Sequence, residues 1–149
     1  MLTQPKPFEI LLLEDEPADA YLVKLALKES KILARMSHVA GGIEGLDFLR
    51  RNGEYDNAPC PDLILLDINM PRMNGYEFLS AIKADKAFKT IPVVVLSTSN
   101  VERDIFISYD LGAAGYITKP IDITQLIAAI TRLGDYWFDL VRLPQEKTA

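Results

Sequence analysis

Carboxylates, a hydroxyl and an amine stand directly after the short apolar runs of this sequence. The residues concerned are Glu14, Asp15, Glu16, Asp67, Ser97 and Lys119. A hard cation such as Mg²⁺ usually binds one or two carboxylates, with waters and phosphate oxygens completing its shell. Clustered carboxylates repel one another unless a cation joins them. These residue types therefore predict Mg²⁺-assisted phosphoryl transfer, with one carboxylate as the nucleophile and the lysine and hydroxyl facing the phosphoryl oxygens.

The apolar runs alternate with segments of helical periodicity. The predicted strands are Phe8–Leu13, Ala34–Ala40, Asp62–Asp67, Ile91–Ser97 and Gly115–Thr118, and the predicted helices are Pro17–Ser30, Gly42–Arg51, Gly75–Ala84, Glu102–Leu111 and a last helix from Asp122 to about Arg142. Apolar strands between helices indicate a parallel sheet covered on both faces, which binds ligands at the carboxyl ends of its strands. We predict an α/β fold with a doubly wound, five-stranded parallel sheet. In the first helix we expect Leu22, Ala26 and Leu27 to form the buried face.

Four segments together resemble the receiver family of two-component response regulators. They are Ile10–Glu16, Leu65–Gly75, Val94–Ser97 and Gly115–Pro120, and their spacing covers roughly residues 8–132. The pattern Asp-x-x-Met-Pro-x-x-x-Gly, combined with the later Lys-Pro pair, is specific to that family. The resemblance implies the flavodoxin-like receiver fold with strand order 2-1-3-4-5.

The resemblance also implies how the phosphoryl group is handled. Asp67 corresponds to the phosphoacceptor, Lys119 to the residue that pairs with the phosphoryl group, and Ser97 to the hydroxyl that contacts it. Tyr116 matches the aromatic residue that switches orientation together with that hydroxyl. The bond between Lys119 and Pro120 is a candidate cis peptide.

A metal shell follows from the same resemblance. Glu14 and Asp15 resemble the family's acidic pair, with Asp15 as a direct Mg²⁺ ligand and Glu14 acting through water. Asp67 and the backbone carbonyl of Asn69 complete the protein's share. Thr98 is bulkier than the Ala or Gly common at its position, which we expect to affect the rate of phosphorylation.

Other functions fit the sequence less well. A phosphatase of the haloacid dehalogenase type needs a second acid two residues after the nucleophile, where this chain has Asn69. A flavodoxin-like FMN carrier needs a Ser/Thr/Gly-rich loop after the first strand, where this chain has three acidic residues. A phosphorylation-independent receiver-like docking module is a further alternative, which the intact acidic set disfavours. We expect a phosphoacceptor that assists its own phosphorylation and dephosphorylation, and no enzyme acting on a separate substrate.

The net charge and the hydropathy of the sequence limit which partners and which cellular location we expect. The chain has 16 Lys and Arg against 21 Asp and Glu, a net charge of −5, so we expect no nucleic-acid partner. Its apolar runs are too short to span a bilayer and no secretory signal is present, so we expect a cytoplasmic protein without membrane contact. The resemblance implies a sensor histidine kinase as partner, and the aromatic C-terminus is similar to regulators paired with bacterial phytochrome kinases. We expect residues 1–149 to form a single receiver domain.

The apolar pattern of the predicted C-terminal helix indicates a homodimer. An apolar stripe at helical spacing would pack on the domain itself: Leu126, Ile130, Leu133, Trp137 and Leu140. Beyond it, Tyr136, Phe138 and Val141 point to other faces, so that with Trp137 they form the expected interface. Exposed contiguous apolar area usually marks an interface, and two-fold self-association is its commonest form. The alternative is that this segment folds back on its own domain.

Overall fold

The structure, a computed structural model, describes residues 7–30, 32–98, 101–119 and 122–135. In these residues strands and helices alternate. The strands are β1 (Phe8–Leu13), β2 (Ala34–Val39), β3 (Leu63–Leu66), β4 (Val93–Ser97) and β5 (Gly115–Thr118); the helices are α1 (Pro17–Glu29), α2 (Gly42–Arg50), α3 (Gly75–Lys83), α4 (Glu102–Asp110) and α5 (Ile123–Gly134). The ten predicted elements are confirmed, with bounds that agree to within two residues wherever both are described. The predicted end of the last helix near Arg142 lies outside the described residues.

The five strands form one parallel sheet in the order β2-β1-β3-β4-β5, as predicted. Leu13 at the end of β1 pairs with Leu66 at the end of β3, and Leu66 pairs with Val95 of β4. The residues that follow β1 and β3 therefore emerge at the same level of one sheet edge. We call this edge, with the residues that follow the strands there, the carboxyl edge.

Each face of the sheet has its own apolar core. Side chains of successive strand residues point to opposite faces, and β1 shows the alternation directly. Leu11 and Leu13 belong to the core beneath α2 and α3, whereas Ile10 and Leu12 belong to the core beneath α1 and α5. With both faces covered, β3 and the last four residues of β1 are buried, which holds the carboxyl ends of both strands in fixed positions.

The first helix is rotated slightly from the prediction. Ala26 and Leu27 are buried as expected, but Leu22 is 37% exposed, and Ala20 and Val23 are buried in its place. Successive residues of a helix turn by about 100°, which leaves Leu22 at the margin of the arc that faces the sheet. The prediction for Leu22 was wrong because sequence spacing does not fix where that arc is centred.

The last helix confirms the first part of its predicted stripe. Leu126 and Ile130 are buried in the core beneath α1, and Leu133 packs against it. The rest of the stripe and the predicted interface residues Tyr136, Trp137, Phe138 and Val141 lie outside the described residues. In the described part of the chain, no helix combines the length and the apolar character needed to cross a membrane.

Candidate functional site

Three carboxylates converge at the carboxyl edge of the sheet. Glu14 and Asp15 follow β1 and Asp67 follows β3; one oxygen from each lies within 4.8 Å of the others. Glu14 and Asp67 are 1% and 7% exposed, whereas Asp15 is open to solvent. Oxygen donors that include one exposed carboxylate suit a divalent cation that keeps several waters. The structure thus brings the three predicted acidic ligands together.

Lys119 joins this cluster from the end of β5. Its Nζ donates hydrogen bonds to Glu14 and, at 3.1 Å, to Oδ2 of Asp19, and lies 3.9 Å from Oδ1 of Asp67. Its backbone N–H donates to the carbonyl oxygen of Ser97 at 2.6 Å, which ties the start of the following loop to the end of β4. The ammonium group therefore stands beside the predicted phosphoacceptor, with its shortest contacts to other acids.

The pKa values of the cluster reflect burial and mutual repulsion. Burial raises the pKa of Glu14 to about 7, a hydrogen bond shared with Asp67 adds to the rise, and the hydrogen bond from Lys119 opposes it. Burial likewise raises the pKa of Asp67, against the hydrogen bond with Glu14 and the charge of Lys119. Burial acts to lower the pKa of Lys119, but its acidic neighbours outweigh burial and raise it. Excess negative charge at this edge favours a second cation.

The loop from β3 to α3 closes tightly over Asp67. A Cβ on Gly75 would lie 2.6 Å from the carbonyl oxygen of Asp67 and 2.7 Å from Cα of Ile68, closer than real contacts allow. The N–H of Gly75 donates to the carbonyl oxygen of Ile68 at 2.8 Å, and Asn74 begins α3 with a capping box. Asn69 is exposed, and a hydrogen bond from its backbone acts to lower the pKa of Asp67. The part of its carbonyl in a metal shell stays a prediction.

A second contact holds the same loop from the side. Arg72 has a φ of 66°, in the left-handed region that residues other than glycine seldom adopt. Its guanidinium forms an ion pair with Glu44 in the first turn of α2. The ion pair links the loop after Asp67 to a helix that packs on the sheet.

The remaining predicted residues stand near the cluster. Ser97 is fully buried at the end of β4, and Tyr116 of β5 is half-buried against the core beneath α2 and α3. Thr98 is exposed next to Ser97. The roles of Ser97 and Tyr116 in phosphoryl contact and switching stay predictions. Pro120, and with it the predicted cis bond, lies outside the described residues.

Two residues of the site were missed by the sequence analysis. His38 was not among the predicted site residues, but its Nε2 lies 2.7 Å from the carbonyl oxygen of Glu14. Because a carbonyl only accepts, His38 donates this hydrogen bond and holds the loop after β1. Asp19 was not singled out; it lies in the first turn of α1, shortly after the acidic residues that follow β1.

Comparisons with known proteins agree with this geometry. The family model of the response regulator receiver domain matches residues 10–131. Response regulator Rcp1 of Synechocystis is 41% identical over 138 residues, which cover 93% of this chain and 94% of that protein. The crystal structure of the phosphorylated cyanobacterial phytochrome response regulator RcpA has a TM-score of 0.87 and 44% identity, covering 94% of this chain and all of that one. The Mn²⁺-bound form of Rcp1 has a TM-score of 0.84 and 41% identity, covering 93% and 100% of the two chains.

Proposed function

This chain belongs to the response regulator receiver domain family, and we propose that Asp67 is its phosphoacceptor. As a receiver it is a phosphoacceptor of two-component signalling. The observation that carries the assignment is the arrangement around Asp67, a buried carboxylate at a strand end with two other acids and a lysine beside it. Its fixed backbone and its cationic neighbour are what in-line phosphoryl transfer requires of a nucleophile.

Each residue has a separate task in the transfer. A carboxylate oxygen of Asp67 forms a bond to the phosphorus of a phosphodonor, and the donor's leaving group departs with the electron pair of the bond that breaks. Lys119 offsets the charge on the phosphoryl oxygens, and the hydroxyl of Ser97 donates to one of them. A bound divalent cation, held by Glu14, Asp15, Asp67 and the backbone carbonyl of Asn69, would supply further positive charge. The same residues assist hydrolysis of the acyl phosphate, since the charges that stabilise one transition state stabilise the other.

Covalent labelling tests the assignment of Asp67. The protein is incubated with Mg²⁺ and a small phosphodonor, and the mass gain of one phosphoryl group is mapped to a peptide. Asp67→Asn should reduce incorporation to background. Asp62→Asn is the matched control, since Asp62 stands next to the other end of the same strand, and it should be labelled like the wild type. Labelling of Asp67→Asn at the wild-type rate would overturn the assignment.

We further propose that Mg²⁺ is the cation used. The donors are carboxylate oxygens, and Asp15 is exposed, so that several waters and a phosphoryl oxygen can complete the shell. Removing divalent cations with a chelator should stop labelling, and Mg²⁺ should restore it at millimolar concentration. Labelling that continues without any divalent cation would contradict this proposal.

We propose that the phosphodonor in the cell is a sensor histidine kinase of the bacterial phytochrome type. A histidine kinase follows from the family, and the phytochrome type is supported by the name of RcpA, which covers 94% of this chain. Phosphotransfer from a panel of histidine kinases, phytochromes among them, tests the pairing. We also propose a cytoplasmic protein without a nucleic-acid partner, in keeping with the net charge of −5.

The extent of the domain and its assembly stay proposals. We propose that residues 1–149 form one receiver domain and that a homodimer forms through Tyr136, Trp137, Phe138 and Val141. What supports the dimer is the apolar character of this segment, since an extended apolar surface usually marks an interface. Sedimentation of the wild type and of a Phe138→Asp, Val141→Asp double variant tests it. A wild type that stays monomeric at micromolar concentration would contradict the dimer.

A further inference from the structure

We propose that Asp19 is a positioning residue for Lys119, the carboxylate that keeps the ammonium group in the site when a divalent cation binds Glu14. The proposal rests on the cation site proposed above. It gives Asp19 no contact with the reacting phosphoryl group.

The contacts of Lys119 carry the argument. Its side chain is only 12% exposed, and its Nζ donates to Glu14 and to Asp19, the latter at 3.1 Å, while Oδ1 of Asp67 is 3.9 Å away. An ammonium group has three N–H donors, and leaving them unpaired in a buried place is costly. The two close acids therefore hold the lysine at this edge.

These two acids differ in what else they can bind. Glu14 belongs to the group of carboxylates that could hold a metal ion, with Asp15 and Asp67, whereas Asp19 lies outside that group. A cation on Glu14 would face the ammonium of Lys119 at close range, and like charges at such distances repel strongly. If Lys119 gives up Glu14, Asp19 at 3.1 Å is a charged partner that lies outside the metal group, whereas Asp67, 3.9 Å away, belongs to that group.

The backbone on both sides of this ion pair is fixed. Asp19 lies in the first turn of α1, where a negative charge is favoured by the helix dipole. The next residue, Ala20, is 2% exposed in the core beneath α1 and α5. On the other side, the N–H of Lys119 is bound to the carbonyl of Ser97. A carboxylate on a packed helix keeps its position more precisely than one on a loop.

Metal titration tests the proposal. Binding of Mg²⁺ is measured by calorimetry for the wild type, Asp19→Asn and Glu16→Gln. Glu16 is exposed on the same loop as Asp15, so its variant removes an equal charge from the same edge. Asp19→Asn should bind Mg²⁺ about three- to tenfold more weakly than Glu16→Gln, because the lysine then competes for Glu14. Asp19→Glu, which retains the carboxylate, should recover most of the loss.

A second measurement follows the lysine itself. The ¹⁵N NMR signal of the Lys119 ammonium group is recorded with and without Mg²⁺. It should persist with the metal in the wild type and in Glu16→Gln, and exchange with solvent too fast to observe in Asp19→Asn. Equal Mg²⁺ affinity of Asp19→Asn and Glu16→Gln, or a persisting lysine signal in Asp19→Asn, would overturn this proposal alone. A wild type that binds no Mg²⁺ would overturn the cation site on which it rests.

Discussion

Carboxylates lie at both ends of the parallel strands, at the carboxyl edge and at the opposite edge, where the strands begin, which we call the amino edge. The carboxylates of the two edges have different partners. At the amino edge, Asp62 accepts a hydrogen bond from the backbone N–H of Glu9 at 2.9 Å, and Glu9 pairs with Arg35 at 2.8 Å. Every one of these carboxylates has its own donor. At the carboxyl edge, a single lysine serves Glu14, Asp19 and Asp67, and burial raises the pKa of Glu14 to about 7.

This difference separates acids that support the fold from acids that support chemistry. A carboxylate that has its own donor stabilises the protein as it stands. Glu14 and Asp67 also accept hydrogen bonds from the backbone N–H groups of Glu16 and Asn69, but their charges share one lysine, so their repulsion is relieved by a further cation. Four predictions test the contrast, in order of decreasing expected effect.

The largest effect is expected from Asp15. Asp15→Ala should slow Mg²⁺-dependent phosphorylation by about a thousandfold, because a charged metal ligand is lost beside the phosphoacceptor. The free energy of unfolding should change by less than about 0.5 kcal/mol, because the side chain is exposed. Glu9→Ala at the amino edge is the control and should be phosphorylated normally. Comparable phosphorylation rates for the two variants would mean that the acids of the two edges do not differ in function.

Two glycines, Gly75 at the carboxyl edge and Gly115 at the start of β5, differ in how closely other atoms pack around them. Gly75→Ala should lower the free energy of unfolding by about 2–3 kcal/mol, since its Cβ would lie 2.6 Å from the backbone oxygen of Asp67. Gly115→Ala at the start of β5 should cost about 1 kcal/mol or less, because its Cβ would meet Val94 at an ordinary 3.5 Å. Urea denaturation measures both. If Gly75→Ala proves as stable as Gly115→Ala, the loop over Asp67 is less tightly closed than described.

The pH dependence of the free energy of unfolding should report the repulsion among the carboxylates of the carboxyl edge. The pKa of Glu14 is raised in the folded protein, from 4.5 to about 7, so between these values the folded state binds more protons than the unfolded state. Its contribution to stability must therefore fall as pH rises across this window, by about 2–3 kcal/mol. Without divalent cations, denaturation at about pH 5 and about pH 8 should show the fall. The fall should be smaller in Glu14→Gln, and an identical profile in that variant would rule out Glu14 as its cause.

The smallest effect is expected at the amino edge. Asp62→Ala should lower the free energy of unfolding by about 1 kcal/mol, because the N–H of Glu9 loses its acceptor. The rate of phosphorylation should equal that of the wild type, measured under the same Mg²⁺ and phosphodonor concentrations. A slower rate in this variant would mean that the two ends of β3 are coupled.

Most of the fold was accessible from the sequence because strands and helices repeat with different periods. Gly115–Thr118 was predicted with its exact bounds. The short 3₁₀ turn Gly53–Tyr55 was missed, because three residues are too few to show a period. Leu22 was misplaced because it lies at the margin of the buried arc, where spacing alone does not decide.

The site was predicted as a set of residues but not as a set of contacts. Strand ends indicated that Glu14, Asp15, Asp67 and Lys119 would meet, and three of these lie together as a possible metal group with the lysine beside them. The acid that shares Lys119 with Glu14 was not predictable, because several acids near one lysine compete and only their distances decide. Asp19 was identified by its distance of 3.1 Å from the ammonium group of Lys119.

The position of β1 has a consequence for how the chain is made. Of the five described strands, β1 is synthesised first, yet it lies inside the sheet, between β2 and β3. Until Leu66 has been synthesised, β1 has a partner on one edge only, and an unpaired apolar edge invites association with other growing chains. The contact between Glu14 and Lys119 spans 105 residues, so the site assembles only after the fifth strand has emerged. A polypeptide that ends before Lys119 therefore carries the acids of the site without the lysine that pairs with them.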